Sequence, residues 1–177
     1  MRKIVILGSG GSGKSTLARQ LGRILNLEVI HLDGLYWQPG WVETPEPAWR
    51  QTVTELIQRK SWIMDGDNIR SLDIRLPAAD TVIFLDLPNV LCFWRALKRS
   101  WQYAGKNRPE MVSGCSEKLD WRFLRWVWQY PLVSRPFILD KLRQLSRDQR
   151  LIILRSPAAV QQFLQELSSI QKGSQNE

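Results

Sequence analysis

The sequence predicts an α/β fold in which a five-stranded parallel sheet carries helices on both faces. Three observations lead there. Short apolar runs alternate with longer stretches of helical period along the chain, the pattern of strands joined by crossover helices. The runs are continuously apolar, as in strands buried on both faces. The first run, Lys3-Ile4-Val5-Ile6-Leu7, closes on a glycine-rich turn that opens an amphipathic helix.

Taken in order, residues 3–7 are the first strand, and a helix follows with Leu17, Leu21, Ile24 and Leu25 on one side. Residues 28–32 read as the second strand. Thr44-Pro45-Glu46 reads as a helix start, with a capping hydroxyl and proline in the first turn; Trp49, Val53, Leu56 and Ile57 form its stripe. Residues 62–65 and 81–86 are the third and fourth strands. Pro88-Asn89 opens a helix with Val90, Trp94, Leu97 and Trp101 at helical spacing. Residues 102–118 are polar and lack a period, which predicts a mobile insertion. A helix from Leu119 to Tyr130 should stop near Pro131, and a separate one should hold Ile138, Leu139, Leu142 and Leu145. Residues 151–154 are the fifth strand, and Ser156-Pro157 caps a last helix with Val160, Phe163, Leu164 and Leu167. The reading is a single domain over 1–177, with a basic lid insertion around 100–122 and a frayed tail at 172–177.

Composition narrows the function. The chain has 177 residues, 44% of them hydrophobic and 24% charged, a globular balance that excludes general disorder. No run approaches the ~18 apolar residues of a spanning helix. Two cysteines, Cys92 and Cys115, and one histidine, His31, are too few for a zinc hydrolase; His31 is expected in the core. The apolar stretch after Met1-Arg2-Lys3 is shorter than a signal-peptide core of ~7–15 residues. A reduced, cytoplasmic protein with no membrane partner is expected. The net charge of +8 is uneven: residues 1–94 balance, whereas residues 95–125 carry Arg95, Lys98, Arg99, Lys106, Arg108, Lys118, Arg122 and Arg125 against three acids. Such a segment suits the phosphates of a nucleotide or a nucleic-acid backbone, or is simply a solvated basic face.

Gly8-Ser9-Gly10-Gly11-Ser12-Gly13-Lys14-Ser15 matches G-x-x-x-x-G-K-[ST] between strand and helix, the context a phosphate-binding loop requires. Glycines let consecutive N–H groups turn inward around an anion, and the helix N-terminus adds positive potential. Lys14 is placed for the β- and γ-phosphates, and the Ser15 hydroxyl for Mg²⁺. Thr16 either touches the α-phosphate or is a plain first-turn hydroxyl. The fold class sharpens to a P-loop NTPase three-layer sandwich. No N-K-x-D guanine motif occurs, and the chain is short for a helicase motor. A basic insertion suits transfer to a small acceptor, because a closing lid excludes water.

Asp65 ends the third strand, where a Walker-B-type acid organises Mg²⁺; the alternative is a turn residue beside Gly66. Asp33 follows the second strand, placed to accept a proton from a substrate hydroxyl or to serve the turn before Gly34. Asp86 reads as a structural cap. Tyr36, Trp37 and Trp41 cluster as an aromatic wall for a ring-containing acceptor, while most of the nine tryptophans should be core. Arg95 and Arg99 share a helical face, and Arg122 and Arg125 lie beyond the insertion; such arginines neutralise a transferring phosphoryl group. Arg70 and Arg75 are candidates for an anionic acceptor.

These residues resemble the adenylate-kinase-like P-loop kinases, nearest to the bacterial DNA topology modulation group. The likeness runs from about residue 3 to 167 and rests on His31-Leu32-Asp33 with Tyr36-Trp37 and Pro39-Gly40-Trp41, Met64-Asp65-Gly66 with Arg70, and Leu85-Asp86-Leu87-Pro88 before Arg95 and Arg99. The resemblance implies that Asp65 supports Mg²⁺, that Arg70 binds the acceptor, that Arg95 and Arg99 contact adenine and phosphates of ATP, and that Arg122 and Arg125 return from the lid. Adenylate kinases carry Phe-Pro-Arg after the Asp-Gly strand end; this chain has Asp67-Asn68-Ile69-Arg70, which implies that AMP need not be the acceptor. The leading expectation is ATP- and Mg²⁺-dependent phosphoryl transfer to a nucleotide or other small molecule. The alternatives are a nucleic-acid-binding protein with an ATP-controlled switch, in line with the group's topology label, and an ATPase module of an assembly.

Overall fold

The computed structural model describes residues 1–105, 114–116 and 119–173. Five strands, β1 (Lys3–Gly8), β2 (Val29–His31), β5 (Trp62–Asp65), β6 (Thr81–Leu85) and β7 (Arg150–Leu154), form one parallel sheet in the order β2-β5-β1-β6-β7. They are the five runs expected from the sequence. A two-stranded antiparallel hairpin, β3 (Trp37–Gln38) with β4 (Val42–Glu43), stands apart from the sheet. Among the described residues seven α-helices accompany the strands: α1 (Lys14–Leu25), α2 (Leu32–Tyr36), α3 (Glu46–Ile57), α4 (Leu72–Ala78), α5 (Asn89–Gln102), α6 (Trp121–Arg143) and α7 (Pro157–Gly173).

The central strand explains the layering. Ile4, Val5, Ile6 and Leu7 are all fully buried, and alternation sends them to opposite faces. Val5 and Leu7 join Trp62, Met64, Val82 and Phe84 beneath α3, α4 and α6. Ile4 and Ile6 join Ile63, Ile83 and Leu85 beneath α1 and α7. The α5–α6 pair closes a smaller cluster of Leu87, Cys92, Ala96, Leu124 and Val127. No helix among the described residues is long and apolar enough to cross a membrane.

Four expectations are corrected here. First, α6 is one helix of 23 residues that runs through Pro131 and Pro136. Each proline removes a backbone bond at a cost of about 3 kcal/mol. The stripe Leu124, Val127, Tyr130, Ser134, Ile138 and Leu142 stays buried along the whole length, and each large apolar member returns about 1.5–3 kcal/mol. Trp126 Nε1 also donates to Ser134 Oγ (3.2 Å), bracing the helix across Pro131. Second, α5 turns its small residues inward: Cys92, Ala96 and Ser100 are buried while Val90, Trp94 and Trp101 are exposed. Third, only Trp49 and Trp62 of the nine tryptophans are buried. Fourth, Thr44 does not cap α3. Its hydroxyl donates to the Tyr36 carbonyl (2.6 Å), as does its backbone N–H (3.0 Å), fastening the end of β4 to α2.

Ser156 caps α7 as expected, accepting from the Ala159 N–H (3.1 Å). Of the insertion expected over 102–118, residues 106–113 and 117–118 lie outside the described residues, as do 174–177 of the tail. Residues 114–116 are tied to the hairpin: Gly40 N–H donates to Gly114 O (3.0 Å), Trp41 Nε1 to Ser116 O (2.9 Å) and Cys115 Sγ to Gln38 O (3.1 Å).

Candidate active site

The parallel strands deliver their carboxyl ends to one edge of the sheet, where such folds bind ligands. The glycine-rich loop leaves β1 at Gly8 and enters α1 at Lys14. Two glycines are required by close approach. A Cβ on Gly10 would lie 2.6 Å from Phe123 Cζ on α6, and one on Gly11, whose φ is +78°, would collide with the Cys92 carbonyl on α5. The loop is clamped between the two helices that carry the arginines. Lys14 Nζ arches over it and donates to Gly8 O (2.6 Å) and Ser9 O (2.9 Å). The hydroxyl oxygens of Ser9 and Ser12 are buried without a hydrogen-bond partner among the described residues.

A cavity of about 1410 Å³ opens in front of the loop, larger than the roughly 300–1,000 Å³ of a site for one ligand. The structure brings Gly10, Gly11, Ser12, Gly13, Lys14, Ser15 and Thr16 to its wall, together with Arg95, Arg99 and Arg122. Asp33, Tyr36 and Trp37 face them from the β2 side. Arg99 lies over the Phe123 ring, 5.4 Å from its centre, so the cation is positioned by the same ring that meets the loop. Gly8, Asp65, Arg70 and Arg125 are not on that wall.

Asp65 is buried and binds Nδ1 of His31 at 2.5 Å. The pair follows from register, since His31 and Asp65 are direct neighbours on β2 and β5. His31 is thus half-buried at the sheet end and not in the core expected from the sequence. Two residues on, the chain turns at Gly66 (φ +136°), and Asp67 reaches the cavity instead. Both Asp67 carboxylate oxygens are sealed from solvent and lack a well-formed hydrogen bond. Burial pushes this carboxyl above the usual range; the Lys14 ammonium, the Gly8 backbone and the Arg75 guanidinium oppose the rise. The Tyr130 hydroxyl beside it is pushed up as well, chiefly by burial and then by the Asp67 charge.

Sequence reasoning missed Asp67 as a site residue and misplaced Arg75. Arg75 is fully buried rather than open to an acceptor. Its guanidinium donates to Gly66 O (3.1 Å) and Asn68 O (2.7 Å), holding the turn that presents Asp67. Burial lowers its pKa to about 10, with Asp67, Asp33 and Asp65 acting against the fall. The signal was legible: Arg75 lies among the buried residues of α4, between Leu72 and Leu76, where a lone charge needs a reason. Asp86 is not a cap; Arg135 of α6 holds it through two bonds of 2.7 and 2.8 Å. Arg70 donates to Glu43 Oε2 and to the Tyr36 hydroxyl, both at 3.0 Å.

The donor set fits the groups the loop implies. The buried, unpartnered hydroxyls of Ser9 and Ser12 suit phosphate oxygens, and hard oxygen donors at Ser15 and Asp67 on the cavity wall suit Mg²⁺. Among the described residues no cluster of three acids, histidines or cysteines forms a metal cage.

No protein-family model matches the chain, and no curated protein matches it. Solved structures do. Shikimate kinase from Acinetobacter baumannii superposes with a TM-score of 0.58 at 20% identity, covering 100% of this chain and 95% of that one. A gluconokinase from Sinorhizobium meliloti gives 0.51 at 17% identity, with 97% and 94% covered. Deoxyadenosine kinase from M. mycoides gives 0.52 at 14% identity, with 94% and 98% covered. The α/β sandwich described above is therefore the fold of P-loop kinases.

Proposed function

We propose that the protein transfers the terminal phosphoryl group of ATP to a small acceptor. The observation that carries this reading is one cavity wall on which Lys14 and the glycine loop meet Asp33, Asp67, Arg95, Arg99 and Arg122. In this reading the loop amides and Lys14 hold the β- and γ-phosphates, and the arginines offset charge on the transferring group, where positioned cations act most strongly. Asp33 takes the proton from the acceptor hydroxyl. Ser15 and Asp67 hold Mg²⁺, which supplies charge neutralisation when bound; Asp67 takes the metal-facing place first assigned to Asp65, whose carboxylate is engaged by His31. Kinase neighbours support transfer over the two alternatives, a nucleic-acid switch and an ATPase module.

The test is ADP release with Mg²⁺ and candidate acceptors, alongside calorimetry of ATP binding. Lys14→Ala should lower turnover by about 10²–10³-fold, the scale for a transition-state charge donor, with the fold retained. Wild-type turnover in that variant, or no heat on injecting ATP and Mg²⁺ into folded protein, overturns the reading.

A further inference from the structure

The sheet order sorts the cavity by charge. The phosphate loop follows β1 at the centre, and α5 follows β6 on one side; their side chains Lys14, Arg95 and Arg99 are cationic. On the other side, past β2 and β5, the wall carries Asp33 and Asp67 together with the rings of Tyr36, Trp37 and Trp41. Trp37 and Trp41 meet edge to face at 5.6 Å and 68°.

The hairpin that carries these rings is held under strain. Trp41 has φ +63°, a left-handed conformation that is an outlier for a bulky residue and is found where ligands are clamped. Its indole N–H is anchored on Ser116 O at 2.9 Å. The backbone strain is therefore retained by bonds that hold the ring against the cavity.

An anionic acceptor needs a cation on this side. Among the described residues the two arginines that follow β5 do not supply one. Arg75 is spent on the carbonyls of Gly66 and Asn68. Arg70 is neutralised by Glu43 and shared with the Tyr36 hydroxyl, which itself donates to Glu43 Oε2 at 2.9 Å. Neither Arg70 nor Glu43 is on the cavity wall, so an acceptor phosphate there would lie beside the Asp33 carboxylate with Arg70 still held by Glu43. Like charges set together in this way weaken binding, by about tenfold.

We infer that the acceptor is a ring-bearing alcohol, uncharged or cationic, with no phosphate or carboxylate of its own. The inference rests on the phosphoryl-transfer reading above. The ring packs against Trp37 and Trp41. The acceptor hydroxyl oxygen bonds to the terminal phosphorus of ATP as the bond from that phosphorus to the β-bridging oxygen breaks. ADP departs with that electron pair, and the hydroxyl proton passes to the Asp33 carboxylate.

The experiment compares two acceptor sets at fixed ATP and Mg²⁺, read by ADP release: adenosine, deoxyadenosine, cytidine and glucosamine against the nucleoside 5′-monophosphates, shikimate and gluconate. ATP affinity is measured separately by calorimetry. A member of the first set should stimulate release, and its anionic counterpart about tenfold less or worse. Asp33→Asn should cut the stimulated rate by about 10²-fold or more while ATP affinity stays within about twofold, since Asp33 faces the acceptor. Stronger stimulation by the anionic set overturns the inference, as does none by either set while ATP binds. Failure to bind ATP would instead remove the phosphate-loop reading and this inference with it.

Discussion

The sheet and the α5–α6 hairpin use the same residue type in opposite ways. Trp49 and Trp62 fill the core beneath the sheet with no exposed surface. Trp94, Trp101, Trp121 and Trp128 on the hairpin are 62, 81, 68 and 51% exposed. Both regions have clear apolar periodicity, so periodicity alone does not tell which face turns inward. The neighbour decides. A flat, apolar sheet accepts large rings. A glycine loop that must touch a helix backbone accepts only small side chains, and α5 offers it Cys92 and Ala96.

Four measurements test that contrast. Trp49→Ala should remove about 3–5 kcal/mol of stability, or roughly 2–4 °C of Tm per kcal/mol for a chain of this size; a loss under 1 kcal/mol would mean the sheet core tolerates the void. Gly11→Ala should cost about 2–4 kcal/mol, combining the left-handed φ with a clash against backbone that cannot swing aside, and it should also abolish ATP binding by calorimetry. A retained ATP affinity would show that the loop and α5 are not in the contact described.

The third measurement concerns Asp67. A carboxyl whose folded pKa lies above its unfolded value of about 3.9 holds its proton more tightly when folded. Its contribution is most favourable below pH ~4 and declines as pH rises through that value toward the folded pKa. Asp67→Asn erases the decline, so the Tm of the variant relative to wild type should be higher at pH 7 than at pH 4. The reverse order would mean that Lys14 and Arg75 outweigh burial at this carboxyl. The smallest effect is expected on the hairpin: Trp94→Ser and Trp101→Ser should each change stability by no more than about 0.5 kcal/mol, and a loss above 2 kcal/mol would place those rings in packing the exposed face does not show.

The strands and the glycine-rich loop between β1 and α1 are legible because their signals are local. Five apolar runs and one spacing of glycines, lysine and serine need no partner to be recognised. The acids and arginines were less legible because distant neighbours decide their roles. Asp65 and Asp67 are chemically equal in the sequence, and only the pairing with His31 on the adjacent strand takes Asp65 out of the cavity. Arg70 reads as an open anion site until a hairpin 27 positions earlier brings Glu43 against it. The prolines of α6 predict a break for the same reason, because the partners of the buried stripe that outweighs them, α5 and the sheet, are distant in sequence.

The guanidinium of Arg75 reaches two carbonyls at once, on either side of the residue the turn presents. A lysine there would keep the charge and lose the geometry, since an ammonium on a flexible stem is a point and not a planar fork. Charge-preserving drift at this position is therefore as disruptive as deletion, and its cost would appear some distance away, as a misdirected acid in the cavity.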